Sequence, residues 1–202
     1  VGASARFERE IAFDELRAPT GKGEDQLMSV FVPLEEREDR GQYLERRRGK
    51  IFREKYLPHV RPLPGARDLL RRSRAAELRL VLACSTKAEE LSAPKDIPAL
   101  LQGNVDAETC AYDAERSKPY RHIFVSSPWA FHGLGPEEAI AVGDTPYDEG
   151  AAGKAGIAAV GVLSGGFSEG ALRESGCLTT YCAPDHVLAD LDASPLAGPG
   201  AA

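Results

Sequence analysis

The stretch Ala139-Ile-Ala-Val-Gly-Asp-Thr-Pro-Tyr-Asp148 constrains the fold more than any other part of the chain. Ala139 to Val142 are small or branched apolar residues and read as a buried strand. Gly143 permits a tight turn, and Asp144 then stands at the strand's carboxyl end. Asp148 follows where a helix begins. Ligands of open α/β sheets bind at that carboxyl edge. Two carboxylates there make a hard, oxygen-only site of the kind Mg2+ prefers. The same spacing also describes a strand, a turn and two helix-capping aspartates.

The order of elements around this stretch sets the fold class. From residue 62 onward, apolar strand patterns alternate with helical ones, which predicts βα units and a parallel sheet. Strands are expected at 78–83, 105–110, 139–143, 157–163 and 178–182. Helices are expected at 66–77, 119–132, 146–155, 168–175 and 184–191. Residues 87–101 have helical composition, but Pro94 and Pro98 predict a short, kinked or broken helix. Pro119 opens its helix in the first turn, where proline is tolerated, and Pro128 predicts a kink. The tail from Ala193 is small and flexible in composition.

The amino-terminal part differs in character. Residues 1–61 are charge-rich and helical in pattern, without a convincing strand. A long helix is expected from Glu35 to Tyr56, with Leu44, Ile51, Phe52 and Tyr56 toward a core. Arg46-Arg47-Arg48 lies on it and reads as a solvated face interleaved with glutamates. Pro58 to Gly65 ends this region. The expected organisation is a helical unit over 1–61 and an α/β core over 62–202.

Charge and cysteine usage narrow the function classes. The net charge of −6 argues against nucleic acid or an anionic membrane as the main partner. No apolar run reaches the length of a membrane span, and no signal-peptide pattern opens the chain. Cys84, Cys110, Cys177 and Cys182 show no C-x-x-C spacing and read as reduced thiols of a cytoplasmic protein rather than a zinc site.

Three further features can carry chemistry. Ala83-Cys-Ser-Thr-Lys87 follows an apolar strand, and hydroxyls and N–H groups entering a helix there can hold a phosphate. Ser117-Lys118-Pro119 places a lysine near the sheet edge, where its ammonium can neutralise a phosphoryl group in transfer. Gly161-Val-Leu-Ser-Gly-Gly166 is a strand that ends in a flexible loop.

In this order the features resemble the haloacid dehalogenase (HAD) superfamily, a Rossmannoid three-layer α/β fold. The likeness is to its phosphoglycolate phosphatase and β-phosphoglucomutase-like branch with a small helical cap. Residues 1–61 resemble the cap, and Leu63-Pro-Gly65 the return into the core. Glu115-Arg-Ser-Lys-Pro119 and Gly143-Asp-Thr-Pro-Tyr-Asp148 resemble the third and fourth motifs.

The resemblance implies Mg2+-dependent phosphomonoester hydrolysis through an aspartyl-phosphate, on a small phosphorylated metabolite. It makes Lys118 the phosphate clamp, Asp144 a direct Mg2+ ligand and Asp148 a second or outer-shell ligand, with Thr145 supporting the metal loop. Aligning Lys87 with the second motif puts Cys84 where a phosphate-binding Ser or Thr belongs, and a one-residue shift substitutes Ser85 or Thr86.

The first motif departs from the pattern. The family's D-x-D, which supplies nucleophile and acid/base at the end of a central strand, does not stand in the amino-terminal region. Residues 1–13 match no such strand. The chain therefore reads as a shortened form, or one with a misassigned start, whose sheet lacks the strand between those at 78–83 and 139–143. The alternatives are an impaired hydrolase, a non-catalytic relative that keeps a metal or phosphate pocket, and a structural remnant.

Overall fold

The structure is a computed structural model of the chain. It describes residues 11–22, 24–85, 90–91, 94, 96–109, 118–125 and 134–197. The expectations for residues 1–10, and for Thr86, Lys87, Cys110, Ser117 and Pro128, lie outside these.

The amino-terminal part is helical. Helix α1 covers Phe13–Arg17 and α2 covers Glu24–Phe31. The long helix expected from Glu35 is a continuous helical run from Leu34 to His59, but not a uniform one. Its α-helical centre, α3 (Gln42–Ile51), is flanked by wide π-type turns at Arg37–Gly41 and Phe52–Tyr56. Each π turn shifts the side chains that follow it around the axis. Tyr56, expected inward, is accordingly 60% exposed, whereas Val32 and Leu57 are buried.

The remaining described residues form an α/β unit. Helix α4 (Ala66–Ala75) leads to β1 (Val81–Ala83), which is shorter than the strand expected at 78–83. Helix α5 (Asp96–Leu101) carries Pro98 inside its first turn, where the missing N–H does no harm, and leads to β2 (Ala107–Thr109). The helix expected from Pro119 is displaced. Lys118-Pro119 is a cis peptide in a turn, and α6 begins at His122 and runs to Val125. Strand β3 (Ile140–Gly143) and helix α7 (Pro146–Lys154) follow. Then come β4 (Ala158–Val162), α8 (Glu169–Glu174), β5 (Thr179–Tyr181) and α9 (Pro184–Ala189). The serine cap expected at Ser168 is present, its hydroxyl accepting from Ala171 N at 3.2 Å.

Among the described residues the strand pairs are all parallel, in two sets, β1-β2 and β3-β4-β5. Among the described residues β1 and β3 are not bonded to each other, so β3 is laddered on one side only. Val142 on β3 is 47% exposed, although its neighbours Ala141 and Gly143 are buried. The α/β core joins Ala141, Ala152, Ile157, Ala159, Leu172 and Cys177. Alanines on α7 let that helix lie close on β3 and β4, with Ala151 and Ala152 fully enclosed. Helix α4 packs on α9, and Arg72 pairs with Asp192 at 2.8 Å. Within the tail expected to be loose from Ala193, the described residues to 197 form helical turns at 191–193 and 195–197. Ser194 between them is 2% exposed and donates to Leu191 O at 2.8 Å.

Candidate active site

The carboxyl ends of β1 and β3 carry the expected residues. Strand β3 ends at Gly143 because the Asp148 side chain folds back against it: a Cβ on Gly143 would lie 2.3 Å from Asp148 Cβ. Thr145 is the residue before α7, and its N–H and hydroxyl both donate to Asp148 Oδ2, at 3.0 and 2.7 Å. The other oxygen, Oδ1, accepts from Lys118 Nζ at 2.5 Å across 30 residues of sequence. Asp148 is thus fixed at both oxygens while being almost fully buried. A helix N-terminus adds favourable dipoles for its charge.

Asp144 sits beside this pair. The next loop backs onto it, since a Cβ on Gly165 would lie 2.8 Å from Asp144 Cγ. Burial raises the Asp144 pKa, the Asp148 charge raises it further, and Lys118 partly offsets both. The site therefore holds two adjacent carboxylates and one ammonium in poorly hydrated surroundings.

The second motif is placed less completely. Cys84 is half-buried, and its backbone N–H is spent on Thr109 O at 2.9 Å. Ser85 has a buried hydroxyl without a protein partner. Thr86 lies outside the described residues. The structure thus brings Lys118, Asp144, Thr145 and Asp148 together.

Glu149 was not anticipated. It is 1% exposed, and neither carboxyl oxygen has a hydrogen-bond partner. Burial first, then the charges of Asp148 and Asp144, push its pKa up to about 7. The signal was available: Glu149 precedes Ala152 by three positions, on the helix face that covers the sheet.

The chain's one D-x-D triplet is Asp190-Leu191-Asp192, after α9. Asp190 accepts from Tyr181 Oη at 2.7 Å, and Asp192 pairs with Arg72. These contacts tie the triplet to β5 and α4. Among the described residues, Cys84, Cys177 and Cys182 form no disulfide. Among the described residues, no group of three or more His, Cys, Asp or Glu is placed to hold a metal. Within the same residues, no helix is long and apolar enough to cross a membrane.

Comparison with known proteins follows the same residues. The HAD-hydrolase-like family model matches residues 115–194, which include Lys118, Asp144 and Asp148. No curated protein matches the chain. Among solved structures, a hydrolase from Pseudomonas syringae superposes with a TM-score of 0.78 at 22% identity, covering 94% of this chain and 87% of that one. A phosphoglycolate phosphatase predicted in Haemophilus somnus gives 0.71 at 19% identity, covering 94% and 87%. The CbbY protein of Rhodobacter sphaeroides, solved with phosphate, gives 0.66 at 20% identity, covering 95% and 88%. Over residues 115–194 the sequence is similar to the HAD-hydrolase-like family, and over the described residues the fold is that of these solved hydrolases.

Proposed function

We propose that the Asp144 loop and Lys118 form a Mg2+-dependent phosphomonoester site. The observation that carries this reading is the Lys118–Asp148 pair at 2.5 Å beside a desolvated Asp144. Mg2+ suits these donors, since the residues offer oxygens only and leave one negative charge uncompensated. Asp144 and Asp148 would hold it, where it would shield the charge of a phosphoryl group.

The chain's own residues supply the rest. Thr145 fixes one Asp148 oxygen and leaves the other to Lys118. Lys118, which approaches from the α6 side, can exchange Asp148 for a phosphate oxygen without leaving the site. The unpartnered Ser85 hydroxyl is suited to donate to the same phosphate, with Cys84 and Thr86 on either side. Residues 1–61 act as a cap that selects the phosphorylated metabolite, and 62–202 as the core. The absence of a disulfide among the described cysteines fits a reducing, cytoplasmic setting.

A second reading is binding of metal and phosphate with impaired turnover. It is favoured by the position of the chain's one D-x-D, at 190–192. An aspartyl-phosphate route needs a carboxylate nucleophile besides those that hold the metal.

Hydrolysis of an aryl phosphate with Mg2+ and with chelator, beside Asp144→Ala, tests both readings. Metal-dependent turnover lost in the variant supports hydrolysis. Metal-dependent phosphate binding without turnover, in a folded sample, supports the second reading. Neither activity in a folded sample rejects the site.

A further inference from the structure

Helix α7 grips the Lys118 turn at two places. Near its amino end, Asp148 accepts from Lys118 Nζ at 2.5 Å. At its carboxyl end, Lys154 Nζ donates to Pro119 O at 2.7 Å, across 35 residues of sequence. The two grips stand about 9 Å apart along the helix axis. The Lys154 ammonium also lies 5.8 Å from the centroid of the Tyr120 ring, on the next residue of the turn.

The place of the second grip bears on the site. Pro119 has no N–H, so its carbonyl is the one backbone hydrogen-bonding group it brings to the turn. It is also the residue next to Lys118. The lysine stem is four flexible carbons long, so the aim of its ammonium depends on where the backbone starts. Beyond the turn, α6 packs on α7, and Ile123 on α6 is fully enclosed. Packing thus holds the chain after residue 121, and Lys154 holds it at residue 119. Lys154 is itself exposed and, among the described residues, forms no ion pair. A lysine at a helix carboxyl end gains from the dipole there, but that gain needs no bond into a neighbouring turn.

We propose that Lys154 is a positioning residue for Lys118. Its bond to Pro119 O holds the turn so that the Lys118 ammonium stays aimed at Asp148 and at a phosphate that takes the place of Asp148. Lys154 acts through the backbone and touches no substrate. This rests on the phosphate site proposed above.

Two substitutions separate the donor from the stem. Lys154→Met keeps the stem and removes the donor, and Lys154→Arg keeps a donor. Inorganic phosphate is titrated by calorimetry, in Mg2+, into the natural chain and both variants. Lys154→Met is expected to bind phosphate roughly threefold to tenfold more weakly, the range of one exposed charged contact. Lys154→Arg is expected to bind within about twofold of the natural chain. A role confined to stability would leave phosphate affinity unmoved. Urea denaturation without phosphate or Mg2+ gives a second readout, from Lys154→Met, Lys118→Ala and the double variant. Residues that act through one another are not additive, so Lys154→Met is expected to destabilise the natural chain more than it destabilises Lys118→Ala. Phosphate affinity unchanged in Lys154→Met, a loss that Lys154→Arg shares, or equal destabilisation in the two backgrounds overturns this inference alone. No binding of phosphate by the folded natural chain overturns the site itself, and this inference with it.

Discussion

Lys118 Nζ lies 2.5 Å from Asp148 Oδ1, and this contact joins two segments 30 residues apart at the mouth of the β3-β4-β5 sheet. Both side chains are nearly buried, at 14% and 11% exposure. Breaking a buried pair from one side leaves an uncompensated charge, which costs about 3 kcal/mol or more. Lys118→Ala is expected to lower stability by about that amount in urea denaturation without metal. Millimolar Mg2+ should recover a large part of the loss, because a cation again faces Asp148. Equal loss with and without Mg2+ would separate the pair from any metal site.

Gly143→Ala tests the fold-back of Asp148. The added methyl would lie 2.3 Å from Asp148 Cβ, and neither group can rotate away because both positions are set by backbone. A cost of about 1–3 kcal/mol is expected, together with loss of Mg2+-dependent stabilisation. Unchanged stability would mean that Asp148 does not close on the strand end.

Glu149 gives the chain a pH dependence with a definite sign. Its pKa rises from the ordinary 4.5 to about 7 on folding, so the native state holds the proton more tightly. Stability from this group is complete below the unfolded value and is lost as pH rises through the folded one. The full difference corresponds to about 3 kcal/mol. Glu149→Val is expected to be more stable than the natural chain at pH 8, with a smaller gain at pH 5. A gain independent of pH would show that the carboxyl is not titrating there.

Much of this arrangement is legible in the sequence. The run from Ala139 to Asp148 combines an apolar strand, a glycine and two spaced aspartates, and each local signal points to the same geometry. Ser168 likewise caps its helix as its residue type suggests. The departures have physical causes. Tyr56 faces out because π turns reset the helical phase, which periodicity cannot detect. Pro119 reads as a helix start, yet its peptide is cis and the helix begins at His122. Glu149 is buried against its residue type, since tertiary packing overrides the preference of a carboxyl for water.

Tyr147→Phe tests whether residues 11–22 are fastened to the site loop. The variant loses the bond to Ala18 O, measured at 2.6 Å, and keeps the ring beneath Lys22. A stability change of about 1 kcal/mol is expected. Faster proteolytic cleavage within residues 11–22 should accompany it, with the α/β unit unaffected. Unchanged cleavage would mean that other contacts hold the segment in place.

The central claim is that Asp144 and Asp148 hold a divalent cation, and a Mg2+ titration by calorimetry tests it most directly. The natural chain should be compared with Asp144→Asn and with Asp192→Asn, whose carboxylate lies in the D-x-D triplet after α9. The predicted result is one Mg2+ per chain, an affinity loss of roughly tenfold or more in Asp144→Asn, and no change in Asp192→Asn. No Mg2+ binding by the folded natural chain, or equal affinity in all three proteins, would contradict the account.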